Sequence, residues 1–518
     1  MATPGGASRR DVLLWAGAAV AASACSPSSP RAAAPMPSTT SLTTASPSVV
    51  PPGAVRAGLD QLSGRLSSPL VRPSSPSYAS VRALYDPRFD LRPQAVARCA
   101  SPQDVAECVR FAAETGTPLH LRAGGHSYGG WSSGEGLVAD VRRMARVVVD
   151  RSAGSVRIGA GALLVDVYAA VARQGRAVAA GSCPTVGVTG LTLGGGVGVL
   201  ARSMGLTCDA VRSLQVVTAD GTLREVDATH WPDLFWALRG GGGGLAAVTA
   251  LTLAVRPAPT VQTFFLSWPG AAAEEVLSAW QGWTAGVDRR LWSTCKVLAA
   301  GGALRVLVAG AWTGPAADLD AQLATLLRGL PTPRVSTRRT RTYAAAMLDE
   351  AGCTGLTPAA CTTEALGPAK RLPFAATSSI VTDPLPTDGV VAAVGAARAG
   401  LEVPGVVESG LSFDALGGAV ADVEVDASAF PHRHALATVQ HTATWSGARS
   451  PAPYDALVHR SRAALTPWLG HGAYVNYADP SIVDFGTAYW GSNLPRLREV
   501  RRSVDPHGVF DFPQAPPR

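Results

Sequence analysis

Apolar and polar residues follow two periodicities in the first half of the chain, one typical of strands and one typical of helices. Between about residues 91 and 257, apolar runs of strand length are separated by stretches in which apolar residues recur every three or four positions. One such stretch begins with Ser101 before Pro102 and ends at Gly116, which is the capping pattern of a helix. Strands are predicted at Thr117–Arg122, Leu137–Val141, Val147–Asp150, Ser155–Gly159 and Val248–Val255, a helix at Leu163–Gln174 and a hairpin at Leu214–Val226. The mixture predicts an α+β domain rich in glycine turns.

The second region, residues 259–475, has longer apolar runs. Leu304–Trp312 and Ala435–Trp445 have the length of long strands, whereas Ala316–Arg328 and Pro453–Leu465 have helical spacing. We therefore predict an antiparallel sheet covered by helices. Several tryptophans fall in this region, and they either line a substrate pocket or pack in the core.

The first 25 residues have the features of an export signal. Arg9 and Arg10 precede an apolar run from Val12 to Ala22, which fits a bacterial twin-arginine signal and is too short to span a bilayer comfortably. Cys25 follows small residues, as at a lipoprotein acylation site; the alternative is a chance cysteine in a peptide that is removed. We expect the protein to be exported from a bacterial cell, with membrane contact only through a lipid on Cys25.

Residues 26–55 are rich in Ser, Pro, Thr and Ala, which predicts a disordered linker. The chain of 518 residues has a formal net charge of only +7 and no block of Lys and Arg, so nucleic-acid binding is not supported. Among the eight cysteines, Cys353 and Cys361 lie close together in a Gly/Thr-rich loop and are the best candidates for a disulfide. No spacing resembles a zinc site, and we assign no metal.

Three glycine-rich segments carry the candidate chemistry. The first is RAGGHSYGGWS, residues 122–132, in which glycines follow a predicted strand and bracket His126. Successive backbone N–H groups in such a loop can point into one concavity and bind phosphate or pyrophosphate without a lysine. Taken alone, His126 is more typical of a loop histidine than of a catalytic one.

The second segment, GSCPTVGVTGLTLGGGVG at residues 181–198, is a long loop of small residues through which the backbone could approach a flat ligand. Cys183 lies near its start, and the alternative is a buried or disulfide-bonded cysteine. The third segment, RGGGGG at residues 239–244, lacks the Lys-Ser/Thr of a P-loop and the GxGxxG spacing of a Rossmann site. Three glycine loops in one α+β domain favour a large dinucleotide bound in a non-Rossmann way.

Together these segments resemble the berberine-bridge-enzyme-like branch of the vanillyl-alcohol-oxidase/PCMH flavoprotein superfamily. RAGGHSYGGWS is similar to its histidyl-flavin motif and GSCPTVGVTGLTLGGGVG to its cysteinyl-flavin motif. RGGGGGLAAVT, YVNYADPSI and the final YWGSNLPRLREVRRSVDPHGVFDFPQ are similar to later family segments. Gly244 and Leu245 stand where the family has Asn-Phe, so we expect that turn to contact the cofactor differently. The resemblance covers about residues 80–515.

The resemblance implies FAD on two covalent bonds, from His126 to the flavin 8α-methyl and from Cys183 to C6. It also implies a PCMH-type, two-part FAD-binding domain at 80–257, a substrate-binding domain at 259–475 and a C-terminal segment, 476–518, that returns to the FAD domain. Further cofactor contacts are implied for Gly124, Gly125, Ser127, Tyr128, Gly129, Val186, Gly187, Gly190, Gly194, Gly195, Gly198, Val248, Asn476 and Tyr477.

The resemblance also suggests the catalytic residues. Tyr474 in YVNY is implied as the base that accepts the hydroxyl proton of an alcohol, although a free phenol has a pKa of about 10 and needs a positive or hydrogen-bonding partner. The alternative is that Tyr474 is only a wall residue. Gln440 falls where some members carry a carboxylate base, and here it can only form hydrogen bonds, while Asn476 supports the ring. Val186 resembles the small residue of oxygen-reactive members.

Three functions remain open at this point. The first is an FAD oxidase that takes a hydride from an alcohol, a sugar, an amine or a secondary metabolite and passes the electrons to molecular oxygen, giving hydrogen peroxide. The second is a flavin dehydrogenase that uses a quinone or a protein acceptor. The third is an exported binding protein or redox carrier, which the complete covalent motifs disfavour.

Overall fold

The computed structural model describes residues 52–361 and 371–518, with side chains from residue 58 onward. The predicted export signal, Cys25 and most of the predicted linker lie outside these residues. The first helix, α1 (Pro52–Arg65), begins inside the range predicted as linker, so the helical part of the chain starts earlier than composition indicated.

The N-terminal unit contains two main sheets with a helix between them. Its helices are α1 (Pro52–Arg65), α2 (Tyr78–Arg82), α3 (Pro102–Thr115), α4 (Leu164–Arg173), α5 (Val188–Leu193), α6 (Ala201–Met204) and α7 (Pro232–Ala237). Its strands are β1 (Ala95–Arg98), β2 (Leu119–Arg122), β3 (Leu137–Asp140), β4 (Val147–Asp150), β5 (Ser155–Gly159), β6 (Arg176–Ala177), β7 (Val211–Val217), β8 (Leu223–Asp227), β9 (Ala247–Ala254) and β10 (Arg256–Pro257). A parallel sheet has the order β1-β3-β2, an antiparallel sheet has the order β4-β5-β9-β7-β8, and α3 packs against strands of both.

Helix α3 has capping residues at both ends, which is why its bounds could be predicted from the sequence. The Ser101 side chain accepts a hydrogen bond from the Asp104 backbone N–H, and Asp104 completes a capping box. Gly116 ends the helix with a φ of 68°, a left-handed conformation that favours glycine. The predicted strands and the hairpin are also confirmed, with ends that shift by a few residues.

The second unit is built on a seven-stranded antiparallel sheet of order β14-β11-β13-β12-β16-β17-β15. The strands are β11 (Thr260–Pro269), β12 (Leu291–Ala300), β13 (Ala303–Trp312), β14 (Val335–Thr342), β15 (Phe374–Val381), β16 (Val406–Ala415) and β17 (Ala437–Trp445). The helices are α8 (Ala273–Gly286), α9 (Ala316–Leu327), α10 (Tyr343–Glu350), α11 (Thr387–Arg398) and α12 (Ala452–Leu469). The predicted α+β class, with a helix-covered antiparallel sheet, is confirmed.

The two faces of this sheet have different neighbours. On one face Trp280 of α8 packs against Phe413 of β16 and donates its indole N–H to Ser293 of β12 at 2.9 Å. Helices α11 and α12 contact the sheet as well. Because side chains alternate along a strand, the residues next to Ser293 and Phe413 point away from these helices.

The chain ends against the N-terminal unit, with α13 (Phe485–Trp490) and α14 (Leu494–Val504), and α14 packs on α7. The Phe512 ring lies 5.3 Å from the ring of Trp131 in the first glycine-rich segment. The predicted disulfide between Cys353 and Cys361 is present. Within the described ranges, no helix combines the length and the hydropathy needed to cross a bilayer.

Candidate active site

A cavity of about 500 Å³ lies between the three glycine-rich segments and the seven-stranded sheet. It borders the face of the sheet that points away from α8, α11 and α12. Residues of β12, β13, β16 and β17 form one wall, and the C-terminal residues 474–478 and 510–512 close another side. A concave site of this volume, with polar groups converging on it, has the form of a small-molecule site.

The hydroxyl of Thr185 lies next to both His126 and Cys183. Thr185 Oγ1 is 2.9 Å from His126 Nε2 and 3.9 Å from Cys183 Sγ. The Tyr85 ring stacks on the imidazole at a centroid distance of 3.7 Å. Because Thr185 engages Nε2, Nδ1 is the ring nitrogen left for a bond to a ligand. His126 and Cys183, which are 57 positions apart on different segments, are thus brought together as predicted.

Burial sets the protonation of both groups. Loss of water lowers the pKa of His126 to about 3, so the imidazole is neutral and its nitrogen lone pair is available. Burial likewise raises the pKa of the Cys183 thiol, against hydrogen bonds from Thr185 and Val186 that act in the opposite direction. An isolated Cys183 is therefore a protonated thiol, less reactive than a thiolate.

The first two glycine-rich segments pack backbone against backbone. A Cβ at Gly124 would overlap the Gly187 nitrogen and lie 2.8 Å from the Thr185 carbonyl oxygen, and a Cβ at Gly187 would overlap the Gly124 nitrogen. Leu164 N donates to Val186 O at 3.0 Å and holds the second segment against the start of α4. This close approach, which only glycine permits, brings His126 and Cys183 to the same end of the cavity.

Most of the predicted site residues line this cavity. They are Gly124, Gly125, His126, Ser127, Tyr128, Cys183, Val186, Gly187, Gly190, Gly198, Val248, Gln440, Tyr474, Asn476 and Tyr477. The cavity thus joins the predicted cofactor and catalytic groups, although their individual roles stay predictions.

Gly129, Gly194 and Gly195 were predicted as cofactor contacts, but they do not line the cavity. A Cβ at Gly129 would overlap the Trp131 ring, one at Gly194 the Asn476 side chain, and one at Gly195 the Phe430 ring. These glycines make room for neighbouring side chains, two of which, Trp131 and Asn476, line the cavity themselves. The second segment also contains a short helix, α5, which the prediction of a continuous loop missed.

Three N–H donors converge on the Tyr474 hydroxyl oxygen. They come from Gly196 N at 2.9 Å, Val197 N at 3.2 Å and Asn476 Nδ2 at 2.8 Å. These donors favour a phenolate, because a neutral phenol oxygen has only two lone pairs. Burial opposes them and is the larger effect, raising the pKa of Tyr474 to about 12.

An aromatic wall continues from Tyr474. The Tyr477 ring lies 5.0 Å from the Tyr474 ring and stacks on Tyr128 at 5.5 Å. Gln440 Nε2 donates to the Tyr128 hydroxyl at 2.5 Å. Gln440 therefore orients Tyr128, which fits its predicted role as a hydrogen-bonding residue.

The sequence prediction missed the polar residues of the sheet wall, and it missed Thr185 and Tyr85. The missed residues of this wall are Thr294, Lys296, Ser412 and Asp414, joined by Glu350 at the end of α10. Trp292, one of the tryptophans considered for a substrate pocket, lies beside them. Thr185 could have been found from its place two residues after Cys183. The sheet-wall residues carry no such local signal.

The glycine-lined end of the cavity fits a dinucleotide. Gly241, Gly242, Gly243 and Gly244 of the third segment line it beside Gly124 and Gly187, so backbone rather than side chains faces the ligand. Two buried donors that line the cavity, Ser132 Oγ and Trp490 Nε1, have no hydrogen-bond partner among the described residues. Gly244, which departs from the family's Asn, has a φ of +91° that suits glycine.

Comparisons with known proteins agree with this assignment. A model described as "FAD binding domain" matches residues 93–227, and one described as "Berberine and berberine like" matches residues 473–516. The uncharacterized FAD-linked oxidoreductase YgaK of Bacillus subtilis is 31% identical over 88% of this chain and 97% of its own. A xylooligosaccharide oxidase of Thermothelomyces thermophilus is 29% identical over 93% of this chain and 98% of its own.

Solved structures of similar proteins have the same fold as this chain. A chitooligosaccharide oxidase superposes with a TM-score of 0.80 at 27% identity, covering 90% of this chain and 100% of its own. A glucooligosaccharide oxidase from Acremonium strictum, described with a 6-S-cysteinyl, 8α-N1-histidyl FAD, superposes with a TM-score of 0.79 at 26% identity, over 89% of this chain and 99% of its own. The chain therefore belongs to the berberine-bridge-enzyme-like family of FAD-linked oxidoreductases, and FAD is its cofactor.

Proposed function

We propose that this enzyme is an oxidase of a carbohydrate, converting a secondary alcohol or hemiacetal carbon to a carbonyl while oxygen becomes hydrogen peroxide. The reaction balances as R₂CHOH + O₂ → R₂C=O + H₂O₂. One observation carries the proposal: a single cavity joins the His126–Cys183 pair, the Tyr474 hydroxyl with its three donors, and a polar sheet wall. When bound, FAD supplies the hydride acceptor.

The polar wall supports the carbohydrate class. Thr294, Ser412 and Asp414 offer hydroxyl and carboxyl groups on the same face of two neighbouring strands, with Trp292 beside them. Thr294 Oγ1 and Ser412 Oγ are 3.3 Å apart. Adjacent sugar hydroxyls both donate and accept hydrogen bonds, so they match a wall with both kinds of group. Relatives named for xylooligosaccharide, glucooligosaccharide and chitooligosaccharide oxidation support the same class.

Tyr474 is the proposed base. Its oxygen would accept the proton of the substrate hydroxyl, while the N–H groups of Gly196, Val197 and Asn476 stabilise the negative charge that the phenolate carries before that transfer. The donors are fixed by backbone and by the Asn476 bond to Leu191 O at 2.9 Å, so they need little rearrangement during the reaction.

Oxygen is the proposed acceptor because Val186, a small side chain in the cavity lining next to Cys183, leaves room close to the cofactor. A dehydrogenase that passes electrons to a quinone or a protein is the second candidate. It is favoured only by the predicted lipid anchor at Cys25. Export through the twin-arginine route remains part of the proposal, and that segment lies outside the described residues.

The proposal is tested with purified, flavin-loaded enzyme and a panel of xylobiose, cellobiose, N,N′-diacetylchitobiose and maltose. We expect at least one sugar to bleach the flavin without oxygen and, in air, to give one hydrogen peroxide per oxygen consumed. If a sugar bleaches the flavin but little oxygen is consumed, and a soluble quinone reoxidises the bleached flavin, the enzyme is a dehydrogenase. If no sugar in the panel bleaches the flavin, the carbohydrate class is wrong.

Thr185 gives a prediction about flavin attachment. Thr185→Val keeps the side-chain shape but removes the hydroxyl that holds His126 Nε2, so the imidazole loses its fixed orientation. In a Cys183→Ala background, where only the histidyl bond can form, we expect Thr185→Val to lower the flavin retained after acid denaturation by about tenfold. By analogy, partners that orient metal-binding histidines have effects of about tenfold or more. Thr185→Ser should restore the retention. Equal retention in the Val and Ser variants would show that the hydroxyl has no positioning role.

A further inference from the structure

Three ionisable side chains meet at the sheet wall of the cavity: Lys296 of β12, Asp414 of β16 and Glu350 at the end of α10. We call them the charged wall. Lys296 and Asp414 extend from the sheet face opposite the helices, and Glu350 reaches the cavity because α10 packs on β11, β14 and α4. None of the three was predicted as a site residue, and neither the cofactor nor the proposed base needs them.

The two carboxyl groups of the charged wall differ in their hydrogen bonds and in the charges around them. Asp414 is hydrogen-bonded by the side chains of Thr294 and Ser412 and is close to the Lys296 charge, yet burial still raises its pKa. For Glu350, the Lys296 charge is favourable, while Asp349 and Asp414 repel its charge, and burial raises its pKa to about 7. Two carboxyl groups and one described cation, Lys296, therefore share this wall, and ionising both carboxyl groups is unfavourable without a further positive charge.

An independent feature points to a ligand on the same wall of the cavity. Trp292 is 7% exposed and lines the cavity two residues before Thr294 on the same strand face. Its indole N–H has no acceptor among the described residues. Buried Trp N–H groups normally have a hydrogen-bond partner, and a buried donor without one is destabilising. A ligand oxygen at this position would supply the missing acceptor.

We propose that the charged wall selects a substrate with a protonated amine, an amino sugar or amino alcohol, whose ammonium group binds Glu350 while an oxygen of the same molecule accepts from Trp292. This inference rests on the proposed function and narrows its substrate class. A ligand ammonium would add a positive charge beside the two carboxyl groups that line the cavity here. An ionised Glu350 would bind a ligand ammonium through a charge-assisted hydrogen bond, which is stronger than its hydrogen bond to a neutral hydroxyl.

The direction of the pH effect follows from the groups around Glu350, which are Lys296 from β12, Asp414 from β16 and Asp349 from its own helix. Below pH 7 the carboxyl holds its proton and offers no charge to an ammonium group. Above pH 7 it is ionised, whereas a primary alkyl amine stays protonated. Amine binding should therefore strengthen as pH rises from 6 to 8.

The test uses binding rather than turnover. Anaerobic flavin-loaded enzyme is titrated with two matched pairs, D-glucamine against D-sorbitol and benzylamine against benzyl alcohol, and the flavin absorbance change gives each dissociation constant. At pH 8 we expect each amine to bind at least tenfold more tightly than its alcohol. In Glu350→Gln the ratio should fall to about one. Glu408→Gln, on β16 but outside the cavity lining, is the matched control and should keep the wild-type ratio.

The outcomes separate this inference from the proposed function. If wild type shows no amine preference, or if Glu350→Gln keeps it, the inference is overturned. If only the benzyl pair binds and shows a preference that Glu350→Gln removes, Glu350 binds an ammonium group as proposed, but the oxygen contact with Trp292, the amino-sugar substrate and the carbohydrate class fail. If no probe changes the flavin absorbance of loaded enzyme, the wall binds neither class and the inference fails.

Discussion

Tyr474→Phe should lower kcat by about 10²–10⁴-fold, the usual contribution of a general base, with little change in flavin content. The substitution keeps the buried ring and removes only the oxygen on which Gly196 N, Val197 N and Asn476 Nδ2 converge. The measurement is the rate of flavin bleaching in single-turnover mixing with a substrate found in the sugar panel.

The pH profile distinguishes a base from a wall residue. Burial raises the pKa of Tyr474 to about 12, so the phenolate fraction, and with it the bleaching rate, should rise with pH through the neutral and alkaline range. Tyr474→Phe should flatten that rise. Tyr454→Phe, which removes a hydroxyl bonded to Pro404 O outside the cavity, should leave rate and profile unchanged. If Tyr474→Phe bleaches at the wild-type rate, another group accepts the proton.

Gly187→Ala should cost about 3 kcal/mol in the free energy of unfolding, near the upper end for overpacking, and should remove most bound flavin. The new methyl group would overlap the Gly124 nitrogen and lie 2.8 Å from the Ala123 Cβ. Neither neighbour is the flexible end of a long side chain, so the two segments must separate. That separation would move His126 away from Cys183.

The control is a glycine-to-alanine substitution at a position where the new methyl group meets no neighbour. At Gly282, in α8, no described neighbour lies within 4 Å of the position that a Cβ would take, so Gly282→Ala should be neutral or should stabilise the helix by about 0.5–1 kcal/mol. Thermal unfolding and the flavin-to-protein absorbance ratio measure both variants. A Gly187→Ala protein with wild-type melting temperature and flavin ratio would refute the close packing of the two segments.

The sequence predicted those parts of the site that local patterns encode. The helix from Ser101 to Gly116 has its caps in the sequence, and the first two glycine-rich segments each carry one reactive residue, so His126 and Cys183 could be found and paired through the family resemblance. Gly129, Gly194 and Gly195 lie outside the cavity lining and their predicted cofactor contacts stay predictions, because a glycine that admits a ligand and one that admits a neighbouring side chain look alike in sequence.

The sheet wall could not be predicted, because its cavity face depends on tertiary packing. Along β12, Ser293 and Cys295 point to the helices while Thr294 and Lys296 point to the cavity, so both faces carry polar or small residues and no alternation is visible. Glu350 is even harder to predict, because it reaches the cavity only through the packing of α10. The proposed substrate recognition therefore rests on the structure, and the sequence alone did not suggest it.

Covalent attachment of FAD is tested by flavin retention after acid denaturation, in the wild type, in His126→Ala, in Cys183→Ala and in the double variant. We predict a yellow pellet for the wild type and for each single variant, and a colourless pellet with free flavin in the supernatant for the double variant alone. A colourless wild-type pellet would contradict covalent attachment at either residue. A double variant that still retains its flavin would place the bonds elsewhere.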